Sequence, residues 1–332
     1  MKIGYLGLGA WGFCLSILLA KKGYHVKAWS AEEELIDILG KKRSHPRFPG
    51  VEAPKLLSFT KDLSEVVCDA DLLVESVTSA GIRPVFEKIK KIKEMNCPIV
   101  LTSKGIEQKT GLLLSDVVVG VLGEEFYHRV ACISGPSHAE EVIEGQPSSV
   151  ACSSRSQDLM LKVKDIFSTP LFRVYPNGDI QGVEFGGAMK NIIAIACGIS
   201  DGLGFGDNAK AALMTRGLHE IRKLALVKGA ASETLNGLSG MGDLCVTCLS
   251  VHSRNYRFGR LIAEGFTLEE AKEKIGQVVE GVYTCVSACE LAAEADIPLP
   301  ITEGVFAVLF KKVQPLDVVE LLMRREVKEE HL

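Results

Sequence analysis

Aromatic residues are sparse, 6% of 332 positions, and there is no surplus of positive charge. Thirty-eight Lys and Arg stand against 42 Asp and Glu, a formal net charge of −4. A general nucleic-acid binder needs the opposite balance, so no nucleic-acid partner is expected, although a local basic site for a small anion is compatible. No internal repeat and no low-complexity linker occurs. Cysteine is not scarce, at ten, but the thiols are scattered from Cys14 to Cys289 and lie mostly in apolar runs, as Cys97, Cys132 and Cys197 do. Reduced thiols in a cytoplasmic protein are the simpler reading, because a chain this long needs no disulfide framework. One long charge-free run is present, the eighteen residues Ile3–Ala20. Its length is that of a membrane span or the apolar part of a signal peptide. Gly4, Gly7, Gly9 and Gly12 oppose both, and no small-residue cleavage pattern follows. A buried strand Lys2–Leu6, a glycine turn and a helix from about Ala10 fit better, so no integral membrane segment is expected.

What is present is the composition of a soluble globular protein, 47% hydrophobic and 24% charged, with length for two domains. Tyr24–Trp29, Asp71–Ser76, Pro98–Thr102, Val130–Ser134 and Ser148–Cys152 read as strands. Val85–Lys93 and Leu112–Leu122 between them carry helical spacing, while Thr60–Leu63 and Ser137–Val142 resemble helix starts. Such alternation predicts an α/β domain with a parallel-rich sheet covered on both faces. After Phe172–Tyr175 the texture changes. Val183–Ser200, Asn208–Lys228, Arg254–Gly265, Leu268–Gly276, Tyr283–Ala295, Ile301–Phe310 and Pro315–Met323 all read as helices. The expected division is a dinucleotide-binding domain over 1–182 and an all-α substrate and catalytic domain over 183–332.

Gly7-Leu8-Gly9-Ala10-Trp11-Gly12 has the G-x-G-x-x-G spacing directly after the first strand. Gly7 permits the tight turn, Gly9 lets a pyrophosphate approach the backbone, and Gly12 allows close helix–strand packing. Ordinary strand–helix turns also collect glycines, but the position at the first strand–turn–helix unit favours a dinucleotide. The second strand ends in Trp29-Ser30-Ala31, with no Arg and no acid until Glu32. Glu32–Glu34 are explained by the start of the next helix. NAD or NADP is the expected cofactor, the choice between them open.

Lys104 follows the Pro98–Thr102 strand at the sheet edge where ligands of such folds bind, although a solvated loop lysine is the plainer alternative. Gly135 and Pro136 make a turn, and Ser137 with Glu140 matches a capping box. Lys190 lies among small and apolar residues: Gly187, Lys190, Ala194 and Gly198 share a helical stripe, where an ammonium is costly unless paired. Asp207 or Asn208 reads as a helix cap. Gly242-Asp243-Leu244, Thr247 and Ser253-Arg254-Asn255 form the densest polar cluster. Ser253 is a natural N-cap, and Arg254 just inside a helix start is disfavoured by the dipole unless an anion such as phosphate sits there. Cys245/Cys248 and Cys285/Cys289 offer four thiolates, but without turn glycines, and the second pair has helical spacing, so no metal is expected.

Taken in order, these segments resemble the NAD(P)-dependent glycerol-3-phosphate dehydrogenase family, from the glycine turn to Pro300-Ile301-Thr302-Glu303. The most specific stretches are Gly135–Glu141, Lys190-Asn191, Asp201–Arg216, and Gly242-Asp243-Leu244 through Ser253-Arg254-Asn255. The resemblance implies an N-terminal Rossmann domain, an all-α C-terminal domain, and reduction of dihydroxyacetone phosphate to sn-glycerol 3-phosphate for glycerophospholipid synthesis. It also implies a cytoplasmic homodimer. Position by position, it makes Lys190 the catalytic acid/base and Lys104 a second lysine touching substrate and cofactor. Gly135, Ser137, Asp243, Ser253, Arg254 and Asn255 become substrate contacts; Ala10, Trp11, Ala139, Arg254, Val279 and Glu280 become cofactor contacts. Asp243 and Asn191 are expected to orient Lys190, and Thr247 to help hold the substrate. Ser30-Ala31 departs from the basic or His residue common in NADPH-using relatives, which makes NADH more plausible here than in those relatives. The rival readings are a 3-hydroxy-acid dehydrogenase of similar architecture and a non-catalytic dinucleotide-binding or zinc-stabilised regulatory protein.

Overall fold

The computed structural model describes residues 1–92, 95–327 and 329–330. By contacts it divides into two compact units. The first comprises Met1–Ser103 and Leu114–Ile180; the second comprises Lys104–Leu113 and the described residues from Gln181 on.

The first unit alternates strands and helices. Its opening part runs β1 (Lys2–Leu6), α1 (Ala10–Lys21), β2 (His25–Trp29), α2 (Glu33–Lys42), β3 (Leu57–Thr60), α3 (Leu63–Val67) and β4 (Leu72–Glu75). There follow α4 (Ile82–Ile92), β5 (Ile99–Leu101), α5 (Leu114–Leu122) and β6 (Val130–Ser134). The unit closes with α6 (Ala139–Ile143), β7 (Ser148–Ser154), α7 (Gln157–Phe167) and β8 (Phe172–Asn177). The eight strands form one sheet in the order β3-β2-β1-β4-β5-β6-β7-β8. All neighbours are parallel except β6 and β7. This is the Rossmann order extended by two strands, with its switch point between β1 and β4. Strands β4, β5 and β6 are buried along their whole length, as strands covered by helices on both faces must be.

Sequence reading missed β3 and misplaced two caps. β3 is a four-residue edge strand with one buried residue, so it carries little apolar signal. Ser137 does not cap α6: its hydroxyl donates to the Gly135 carbonyl at 2.9 Å, and the N-cap is His138. The helix after Gly206 is capped by that glycine, with Asp207 inside the first turn rather than at the cap. At the earlier start Asp62 is the cap, accepting from the Ser64 amide. The helical pattern Val85–Lys93 is met by α4; Lys93 lies outside the described residues, as do Lys328, His331 and Leu332 of the segment assigned to the second domain.

The second unit is helical, with α8 (Ile180–Gly202), α9 (Asp207–Val227), α10 (Ser232–Leu235), α11 (Asp243–Leu249) and α12 (Arg254–Ala263). It continues with α13 (Leu268–Ile275), α14 (Glu280–Glu294), α15 (Pro300–Lys311) and α16 (Pro315–Met323). Helix α8 has the length and hydropathy of a membrane span but is buried inside the unit, where Ile192, Ile193, Ile195 and Cys197 are fully enclosed. The small-residue stripe explains its crossing with α12. A Cβ on Gly198 would lie 2.0 Å from the Tyr256 carbonyl oxygen, and one on Gly259 2.2 Å from that of Ile195. Backbones therefore touch where side chains would hold them apart. The excursion Lys104–Leu113 joins this unit through Ile106 and Leu113, which are buried in the helical core and bridge one another.

Candidate active site

The helical unit gathers four of the polar residues singled out above. Lys190 projects from the middle of α8, and Asp243 opens α11 after a π-helical turn over Leu238–Gly242. The Lys190 ammonium donates to Asp243 Oδ1 at 2.5 Å and to Thr247 Oγ1 at 2.8 Å. Lys104 Nζ donates to the other carboxylate oxygen, Asp243 Oδ2, at 2.5 Å. Asp243 is 1% exposed and Lys190 6%. Two lysines thus share one buried carboxylate, and one positive charge of the three groups is left uncancelled.

Thr247 completes the mount. Its hydroxyl donates to the Asp243 carbonyl at 2.6 Å, one turn back, which leaves its lone pair for Lys190. It supports the lysine, a contact that the sequence pattern does not announce. Burial pushes the Lys190 pKa down from 10.5 to about 8; Asp243 pulls it upward and the Lys104 cation pushes it further down. An ammonium so placed gives up its proton far more readily than a solvated lysine.

Asn191 does not take the orienting role expected from sequence. Consecutive helical residues point about 100° apart, and the Asn191 Oδ1 accepts from Asn255 Nδ2 at 2.9 Å. Asn255 Oδ1 in turn accepts from the Gly281 amide at 2.9 Å, fixing the start of α14 where Val279 and Glu280 lie. Ser253 caps α12, its hydroxyl accepting from the Tyr256 amide at 3.3 Å. Arg254 is therefore the first helical residue, with no acidic residue in that turn. It is exposed, and it donates to the Val278 carbonyl at 3.3 Å.

In the first unit the glycine turn has the geometry its spacing implied. Gly7 has φ +92°, and a Cβ there would meet the Ser76 carbonyl oxygen at 2.6 Å. A Cβ on Gly12 would lie 2.0 Å from the Gly7 carbonyl oxygen. Gly9 differs. Its φ is −60°, and an added Cβ would meet nothing within 4 Å, so the protein itself does not demand glycine there. A phosphate close to the backbone does. Helix α1 starts without a side-chain cap and without an acid in its first turn, so the amide end formed by Ala10, Trp11 and Gly12 suits a pyrophosphate. Trp11 packs at 6.4 Å from Phe172. Gly135 sits at the end of β6 with φ +150°, tight against Val150 Cα, and Ala139 opens the short α6, which lies against α1.

Two residues at the sheet's carboxyl edge escaped sequence reading. Glu75 ends β4 fully buried, and its Oε1 accepts from the Ser103 hydroxyl at 2.7 Å and from the Val77 amide. An acid closing the apolar run Leu72-Leu73-Val74 was the available signal. His45 is 4% exposed and binds the Leu8 carbonyl inside the glycine turn. A lone histidine in a loop gave no comparable cue.

Comparison with known proteins agrees with these features. Residues 2–160 match the family model of the NAD-dependent glycerol-3-phosphate dehydrogenase N-terminus, and residues 179–320 that of its C-terminus. The glycerol-3-phosphate dehydrogenase, NAD(P)+, of Protochlamydia amoebophila is 55% identical over 331 residues, covering 100% of this chain and 99% of its own. That of Chlamydia caviae is 54% identical over the same length, with the same coverage. The crystal structure of glycerol-3-phosphate dehydrogenase from Coxiella burnetii aligns with a TM-score of 0.93 at 38% identity, covering 98% of this chain and 99% of that one. The glycine turn after β1, the Rossmann strand order and near-complete coverage by these relatives converge on one conclusion: the chain belongs to the NAD(P)-dependent glycerol-3-phosphate dehydrogenase family.

Proposed function

We propose that the chain reduces dihydroxyacetone phosphate to sn-glycerol 3-phosphate with NADH or NADPH, reversibly, with Lys190 as proton donor. The observation that carries the residue assignment is the buried Lys190–Asp243–Lys104 arrangement. When bound, the reduced nicotinamide supplies a hydride to the carbonyl carbon. Negative charge then builds on the carbonyl oxygen, and the uncancelled positive charge of the two lysines opposes that build-up. Lys190 holds its proton at Nζ below about pH 8 and releases it to the new alkoxide; in the oxidative direction the neutral amine takes it back. Asp243 and Thr247 fix the ammonium, and Asp243 keeps its pKa from falling further. Arg254 receives the phosphate at the start of α12, with Asn255 and Ser253 beside it, so that binding energy remote from the carbonyl positions the reacting carbon.

Gly7, Gly9, Ala10, Trp11 and Gly12 hold the pyrophosphate in this reading. Lys104, Gly135, Ser137, Ala139, Val279 and Glu280 complete the substrate and cofactor contacts. Residues 1–182 carry the dinucleotide and 183–332 the catalytic groups, Lys104 excepted. A role in glycerophospholipid synthesis, a cytoplasmic location and a homodimer belong to the same proposal. The test follows NADH and NADPH oxidation separately with dihydroxyacetone phosphate, for wild type and Lys190→Ala. The variant should lose about 10²- to 10⁴-fold in turnover while still binding cofactor. A folded variant with near-normal turnover at saturating substrate refutes the assignment, and the same assay with a 3-hydroxy acid addresses the rival substrate class.

A further inference from the structure

The end of β2 offers no base for a 2′-phosphate, yet another cation stands beside the same turn. The Gly7 amide donates to the Trp29 carbonyl at 2.8 Å, so the glycine turn and the end of β2 are locked together. One residue on, the Leu8 carbonyl meets His45 Nε2 at 3.1 Å. The Arg47 amide donates to the other ring nitrogen, Nδ1, at 3.1 Å. Nδ1 is therefore the acceptor and Nε2 carries the proton, so a single neutral imidazole clasps the glycine turn on one side and Arg47 on the other. Phe13 and Phe48 hold the ring, with centroids 5.2 and 5.8 Å away.

Two other cations of this region are committed. Arg43 gives its guanidinium to the carbonyls of Ala53, Pro54 and Leu57. Lys61, beyond β3, pairs with Asp37 at 2.8 Å and lies 3.6 Å from Glu33. Arg47 is exposed, and no carboxylate pairs with it among the described residues. The buried histidine thus fixes the backbone of an exposed arginine beside the glycine turn.

We propose that Arg47 receives the adenosine 2′-phosphate of NADP(H), supplying from the loop after α2 the positive charge that Ser30 and Ala31 lack. This rests on the dehydrogenase reading above and bears on a cofactor choice that the sequence leaves open. The test uses equilibrium binding of 2′,5′-ADP and of ADP, which differ by the 2′-phosphate, read by the fluorescence of Trp11 and Trp29 or by calorimetry. Wild type should bind 2′,5′-ADP the more tightly. Arg47→Ala should weaken 2′,5′-ADP by about ten- to hundredfold and ADP by less than about twofold, with Arg47→Lys falling between. Unchanged 2′,5′-ADP binding in Arg47→Ala overturns the proposal. So does an equal loss on both ligands, which moves the charge to the pyrophosphate. Neither ligand is a substrate, so wild-type oxidation of NADH or NADPH by dihydroxyacetone phosphate tests the underlying reading separately.

Discussion

Replacing Asp243 by Asn removes the one negative charge between Lys190 and Lys104 while keeping the side chain's size. Lys190 then loses the carboxylate that holds its pKa up, but keeps the burial and the Lys104 cation that press it down from 10.5 to about 8. A contacting opposite charge is worth about one to three pH units to such a group, so the lysine should titrate at about 5 to 7 in the variant. At about pH 7.5 its protonated fraction falls from about three-quarters to between about a quarter and well under one-hundredth, a loss of about 3- to 250-fold in any step that needs the ammonium. The assay is turnover in the reductive direction at saturating dihydroxyacetone phosphate and nicotinamide, from about pH 5.5 to about pH 9.5. Wild type should lose activity above about pH 8; Asp243→Asn should lose it at lower pH and recover as the medium is acidified. Lys104→Met must move the limb the other way, because the Lys104 cation is one of the influences lowering Lys190. A limb that stays near 8 in Asp243→Asn, or moves the same way in both variants, refutes Lys190 as the proton donor.

Arg254→Ala should raise KM for dihydroxyacetone phosphate by about ten- to hundredfold and cost much less with unphosphorylated dihydroxyacetone; equal losses place Arg254 elsewhere in the mechanism. Gly9→Ala should leave the melting temperature nearly unchanged but weaken nicotinamide binding, whereas Gly12→Ala should destabilise the fold itself, since only the latter Cβ would strike backbone; thermal melts with and without cofactor separate the two. Glu220 is buried on α9, accepts from the Ile301 and Thr302 amides at 2.6 and 3.1 Å, and has its pKa raised by burial from 4.5 to about 7. A carboxyl raised in the folded state stabilises fully below its unfolded value, and that contribution is lost as pH rises towards about 7, at most about 3 kcal/mol here. The melting temperature should therefore fall across that window, and Glu220→Gln should flatten the slope; an unchanged slope contradicts the assignment.

The strongest parts of this fold were legible because their signals are local. β1, the glycine turn and α1 follow one another within Lys2–Lys21, and their spacing is set by what a phosphate needs from backbone. Lys190 stood out as a charge among small residues, and burial explains both the pattern and the low pKa. The partnership of Lys104 with Asp243 was not legible, because 139 residues separate them and only the chain's excursion into the helical unit joins them. The sequence pattern assigns no helix to Ser232–Leu249, where Gly237, Gly240 and Gly242 interrupt the helical period, yet the stretch forms α10, the π-turn and α11. Asp243 owes its place to that interruption. Asn191 meets Asn255 and not its neighbour Lys190, because consecutive residues of a helix do not face one another.

The short excursion Lys104–Leu113 has a consequence for how such a protein can be recombined. The chain passes from one unit to the other at Ser103, returns at Leu114 and leaves again at Ile180, so no single cut separates it into two self-sufficient halves. A chimera joined near residue 180 would take its Lys104, Ile106 and Leu113 from one parent and Asp243, with the helical core, from the other. Exchange of the helical part as a contiguous block is therefore safe only between parents that agree over those ten inserted residues. The same knot of inheritance applies to a fragment beginning at Gln181, which would have Asp243 and Lys190 but neither the second lysine nor the two apolar side chains that seal the core.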